Sequence, residues 1–180
     1  MAVSPGRMSR LSLCLLLALS ACASGSPSGG YVGGSLAVEC APFARALSGV
    51  RLSGDAADWW WQANERYERS TQPTIGSVLV LRRSGRLPSG HVAVVSQVLA
   101  QRHILVTQAN WVRHRVSEDQ PVVDVSSAND WSLIRVWWPP TGEMGTTTYP
   151  AFGFIRPEQP ATHDQLIAAT PRAIRLAVNE

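Results

Sequence analysis

The stretch "GHVAVVSQV", Gly90–Val98, is a short β-rich run entered through a turn residue. Because strand side chains alternate between two faces, His91, Ala93 and Val95 share one face while Val92 and Val94 take the other. The preceding "SGRLPSG", Ser84–Gly90, is the loop that delivers the chain to His91. The following "HILVTQAN" is a second strand, and a hairpin joining the two would place Asn110 beside His91. Working outward, "GSVLVLRR", "PVVDVS", "SLIRVWW" and "FGFIRP" repeat the pattern after Pro73, with turn residues between them.

Before Pro73 the spacing is helical. From Glu39 to Leu47, Phe43, Ala46 and Leu47 recur at helical intervals; Pro42 stands in the first turn, where its missing N–H does no harm, and Gly49 closes the helix. A second helix is expected in "GDAADWWWQANERY", with Asp55 as N-cap and Ala56, Trp59, Trp60 and Ala63 on one face. The fold expected is α+β: short N-terminal helices packed on an antiparallel, partly closed β-sheet. The segment 157–180 is proline-bounded, holds a weak helical run from His163 to Ala169, and is left as a C-terminal tail without a role.

The chain has 180 residues, 45% hydrophobic and 16% charged, which suits one compact domain with extensions. Residues 1–21 have the layout of an export signal: Arg7 and Arg10, an apolar run from Leu11 to Leu19, then small residues. The run is far short of the roughly 20 residues a membrane-spanning helix needs. "LSAC", Leu19–Cys22, resembles the lipobox of bacterial lipoproteins, which implies lipidation of Cys22. The glycine- and serine-rich residues 22–35 then read as a tether that holds a domain over residues 36–156 away from a membrane. Removing residues 1–21 takes away two arginines and no acid, so the net charge falls from +3 to +1 and gives no reason to expect nucleic acid.

Of three cysteines, Cys14 falls in the signal and Cys22 would carry lipid, so Cys40 is left without an intramolecular partner. An exported domain with one free thiol calls for an explanation. Cys40 stands at a helix N-terminus, where exposed N–H groups favour a thiolate. With His91 as base and Asn110 to fix the ring, the chain order Cys–His–Asn is the one a papain-like site uses. The plainer readings are a buried small hydrophobe for Cys40 and a strand-end histidine satisfied by backbone for His91. His103, His114 and His163 read as surface or loop residues. No two histidines have metal-ligand spacing and no second cysteine could complete a zinc site, so neither metal nor organic cofactor is expected. No nucleophile elbow, phosphate loop or dinucleotide-binding glycine pattern occurs.

"ECAPFAR", "PTIGSVLVL", "GHVAVVSQV" and "ILVTQANW" resemble, in order and spacing, the CHAP family of cysteine, histidine-dependent amidohydrolases and peptidases. The resemblance runs from about Gly34 to Phe154. It implies a papain-like fold, Cys40 as nucleophile, His91 as general base and cleavage of amide bonds in peptidoglycan stem peptides. Many family members carry glutamate where this chain has Gln108. A glutamine carbonyl can accept from imidazole but brings no charge, which makes Asn110 the expected orienting group and Gln108 a supporting one.

Trp111 is expected as a shield over the asparagine–histidine bond. Trp59, Trp60 and Trp61 cannot all face one core, because consecutive helical residues point about 100° apart. They are read equally as helix packing or as a groove wall for substrate. The function expected is a cysteine amidase or endopeptidase of peptidoglycan, exported and lipid-anchored in the cell envelope, facing the periplasm. The alternatives are a non-catalytic peptidoglycan-binding lipoprotein and an amidase for a small peptide conjugate.

Overall fold

The structure is a computed structural model that describes residues 30–180 together with Met1 and Ala2. Apart from Met1 and Ala2, the expected export signal with Cys14, and Cys22 with the first part of the expected tether, lie outside the described residues.

Nine strands follow in chain order: β1 (Gly30–Val32), β2 (Arg69–Ser70), β3 (Val78–Leu81), β4 (His91–Ala100), β5 (His103–Ala109), β6 (Val116–Asp124), β7 (Leu133–Trp138), β8 (Glu143–Met144) and β9 (Tyr149–Ile155). Three helices accompany them: α1 (Cys40–Ser48), α2 (Trp59–Gln62) and α3 (His163–Val178). The run that opens the sequence reading is β4, and every pairing in the sheet is antiparallel.

The sheet does not stay partly open. The hydrogen-bonded order β6-β5-β4-β3-β9-β7 returns to β6 through Val122↔Val136 and Val123↔Arg135, closing a six-stranded barrel. Closure leaves these strands without free edges and creates an interior that side chains must fill. The alternation of β4 supplies part of it: Ala93 and Val95 face inward among Leu79, Ile104, Val106, Val122, Ile134 and Phe154, with Trp131 fully buried beside them. His91, two residues before Ala93, lies on the same face at the barrel mouth.

The other parity of the strands faces the helices. Val78, Val80, Val92 and Val94 pack with Phe43, Ala44 and Leu47 of α1 and with Leu166 and Ala173 of α3. Burying Phe43 completely contributes on the order of 1.5–3 kcal/mol. Gly49 ends α1 in the left-handed conformation, φ 78°, and its N–H donates to the Arg45 carbonyl.

The second helix is much shorter than the sequence leads one to expect. It is a 3-10 turn over Ala56–Asp58 followed by one turn of α2. Asp55 does not cap it by its side chain; that carboxylate and Asp58 both bind the Arg83 guanidinium.

Segment 157–180 holds the longest helix of the fold among the described residues. Thr162 caps α3 in a reciprocal box with Gln165, and Leu166, Thr170, Ala173 and Ala177 are buried. Pro171 lies inside it, which costs a hydrogen bond, yet packing against α1 carries the helix onward. At the other end Gly30–Val32, within the glycine-rich run, pairs with Val116–Glu118 of β6.

Candidate active site

Two elements meet at the barrel mouth: the N-terminus of α1, carrying Cys40, and the first residue of β4, His91. Gly90 makes the approach possible. It has φ 75°, and a Cβ there would lie 2.6 Å from the Leu81 carbonyl oxygen and 2.7 Å from the Ala57 Cβ. The Ala57 N–H donates to the Ser89 carbonyl at 3.0 Å, so the 3-10 turn grips the loop that delivers His91.

Cys40 is half-buried and His91 is 4% exposed. Burial pushes the Cys40 thiol up. The charge of His91, a hydrogen bond with its ring and the Val92 N–H together outweigh burial, and the thiol lies below its ordinary value. The Val92 N–H is left free of β5 for the thiol because pairing of β4 with β5 begins only at Val94↔Thr107. For His91, burial works downward, and the Cys40 charge, hydrogen bonds with Cys40 and Gln108, and the Glu39 carboxylate carry the ring above its ordinary value. The directions are those of a thiolate–imidazolium pair.

The group that orients the ring is not the expected one. His91 Nε2 donates to Gln108 Oε1 at 2.8 Å, which leaves Nδ1 for Cys40. Continuing the register Val95↔Val106 to the start of β4 would set Asn110 opposite His91, as the hairpin argument expects. β5 ends at Ala109, however, and Asn110 turns into the left-handed region at φ 59°. Its side chain leaves the sheet face: Nδ2 donates to Glu39 Oε2 at 2.8 Å, and Oδ1 accepts from the His114 N–H at 2.9 Å. Asn110 therefore ties the β5–β6 loop to the residue before Cys40. Gln108, still on the inward parity of β5 and 2% exposed, is long enough to reach His91 diagonally.

Trp111 packs against the His91 ring edge-on at 5.2 Å between centroids and is backed by Tyr149 at 5.0 Å. It thus shields the histidine–glutamine bond instead of a histidine–asparagine one. The three consecutive tryptophans separate. Trp59 is fully buried and cannot touch a substrate; Trp60 stacks on Phe152, and Trp61 is 63% exposed. His103 begins β5 and His114 lies in the β5–β6 loop, whereas His163 binds Asp119 and Gln97 and pins α3 to the barrel.

Two clefts adjoin Cys40 and Trp111. One, of about 380 Å³, contains Cys40 with Glu39, Asp55, Ser89 and Gly90. The other, of about 470 Å³, is walled by Trp111, Tyr149, Trp138 and Arg86. A larger concavity, of about 510 Å³ by Tyr67 and Pro157, contains neither Cys40 nor His91. Among the described residues no group of three or more His, Cys, Asp or Glu side chains is arranged to hold a metal ion.

Sequence reading missed Gln120 and the Val92 N–H. The first has a signal, since Gln120 falls two residues from Val122, on the apolar parity of its strand. The second depends on where β4–β5 pairing stops and has none.

Comparison with known proteins supports the reading of the motifs. No curated protein matches the chain. Residues 30–110 match the family model of the CHAP domain, a family associated with amidase and peptidase hydrolysis of peptidoglycan. The match runs from β1 through Asn110 and so includes Cys40, His91 and Gln108, which makes this part of the chain similar to a CHAP domain.

Proposed function

We propose that the protein is a cysteine amidase or endopeptidase that cleaves amide bonds in the stem peptides of peptidoglycan, held in the bacterial envelope by lipid on Cys22. The observation that carries this reading is the buried His91 ring, hydrogen-bonded through Nε2 to Gln108 and coupled through its other nitrogen to a thiol below its ordinary value.

In this mechanism the Cys40 thiolate attacks the amide carbonyl, and the tetrahedral oxyanion takes a hydrogen bond from the Cys40 backbone N–H at the open start of α1. His91 donates its Nδ1 proton to the leaving nitrogen, the C–N bond breaks, and a thioester remains on Cys40. His91, now neutral with Nδ1 free, takes a proton from water as it adds to the thioester. Collapse expels the thiolate and releases a carboxylic acid. Gln108 accepts from Nε2 throughout, so the ring stays fixed while Nδ1 gains and loses its proton. The cleft at Cys40 and the one walled by Trp111 give the acyl and amine portions of an extended substrate separate places to lie.

The test is mass spectrometry of purified sacculi digested with the protein. New amine and carboxylate ends in equal number at one stem-peptide bond are expected, and an unchanged fragment pattern would contradict the proposal. Membrane partitioning of Cys22→Ser tests the anchor: release to the soluble fraction is expected, and retention would contradict it.

A further inference from the structure

Behind the pair runs a buried polar chain that the mechanism above does not fully use. Gln108 Nε2 donates to Gln120 Oε1, while Gln108 Oε1 faces His91. Gln120 is fully buried, and its own Nε2 has no partner among the described residues.

Its place there follows from the inward parity it shares with Val122 on β6, and a bulge adjoins it. Between Val106↔Gln120 and Gln108↔Ser117, β6 spends three residues where β5 spends two, and Asp119 absorbs the extra one at φ 52°. Gln120 thus lies on the barrel interior, directly across from Val106 and diagonal to Gln108.

A primary amide has two nearly isosteric ends, and only a partner decides which end faces His91. We infer that Gln120 is a positioning residue: its carbonyl takes the Gln108 NH₂ and so holds the Gln108 carbonyl toward His91 Nε2. The consequence is a choice of tautomer. With a carbonyl at Nε2, the neutral ring keeps its proton there and presents a bare Nδ1 to Cys40. With the amide reversed, the NH₂ would favour a bare Nε2 and a protonated Nδ1, which cannot accept a proton from the thiol or from water. The one unpartnered end of Gln120 fits this reading, because a purely structural role would be served better by an apolar side chain of the same size.

This inference rests on Cys40 and His91 being the reactive pair, and the experiment separates the two. Full-length protein is alkylated with iodoacetamide across the pH range, modification at Cys40 is followed by peptide mass spectrometry, and melting is recorded on each preparation. Three proteins are compared: wild type, Gln120→Met, which keeps the shape but loses the carbonyl, and Gln120→Glu, which keeps an acceptor. Wild type should react as a thiolate at mildly acidic pH, below the ordinary cysteine range near 8.5. Gln120→Met should react about ten- to a hundredfold more slowly there, and approach the wild-type rate at alkaline pH, where a thiolate forms without help. Gln120→Glu should restore the wild-type profile.

A folded Gln120→Met with the wild-type profile overturns the role of Gln120 and leaves the pair intact. A Gln120→Met slowed equally at every pH, or a folded Gln120→Glu that fails to restore the profile, also overturns it. A wild type that titrates as an ordinary thiol overturns the reactive pair itself, and the inference with it.

Discussion

The two halves of the site are built by opposite means. His91 is held from inside the barrel, where strand parity brings Gln108 and Gln120 to the same interior and every contact is buried. Cys40 is held from outside, by the start of a helix whose preceding residue, Glu39, is exposed and tethered to Asn110 of a surface loop. His91 is therefore fixed by sheet register, which a single side chain cannot easily shift. Cys40 is fixed by contacts that water can replace. Removing a buried hydrogen-bond partner leaves the other group unsatisfied, whereas an exposed one is compensated, so perturbations on the His91 side should cost more than matched ones on the Cys40 side.

Five substitutions probe this asymmetry, in decreasing order of expected effect. His91→Ala should lower hydrolysis by at least about 10²–10⁴-fold, the usual contribution of a general acid–base, and should also abolish thiolate reactivity of Cys40 at mildly acidic pH. Sacculus turnover and alkylation measured together check both. Gly90→Ala should destabilise by about 2–4 kcal/mol, since its Cβ meets backbone on two sides at a left-handed residue, with the melting temperature as readout.

Gln108→Ala should lower turnover by about ten- to a hundredfold, the value of a hydrogen bond to a charged ring, while Asn110→Ala should cost only about 0.5–1.5 kcal/mol of stability and little turnover. Equal losses of turnover would erase the asymmetry. The smallest effect is expected of Glu39→Gln, which keeps the bond to Asn110 and removes the charge. Glu39 raises both Cys40 and His91, so both limbs of the pH–rate curve should move to lower pH. The acid limb reports formation of the thiolate and the alkaline limb loss of the imidazolium proton, and a curve that moves upward would reverse the sign.

Local pattern made much of this legible in the sequence. The alternation of β4 predicts its strand and the parity of His91, while Pro42 and Gly49 bracket α1, and both lie within the residues that match the CHAP family model. Non-local pairing hid the rest. Closure depends on β6 meeting β7 across the barrel, which no single run of residues announces. Asn110 looks right by register until its positive φ is known, and the pairing that sets Gln120 across from Val106 and diagonal to Gln108 is a property of two strands together. Pro171 reads as a helix end, but burial of Ala173 and Ala177 on the fold's second core keeps α3 going.

The central claim is that Cys40 attacks as a thiolate, and Cys40→Ser tests it most directly. Sacculus hydrolysis and thermal melting are measured on the same preparation. The account predicts a protein that keeps its fold, losing no more than about 1–3 kcal/mol if the new hydroxyl finds no partner, and that loses nearly all hydrolysis, because a serine hydroxyl beside His91 stays protonated. A folded Cys40→Ser protein that still digests sacculi at a substantial fraction of the wild-type rate would contradict it.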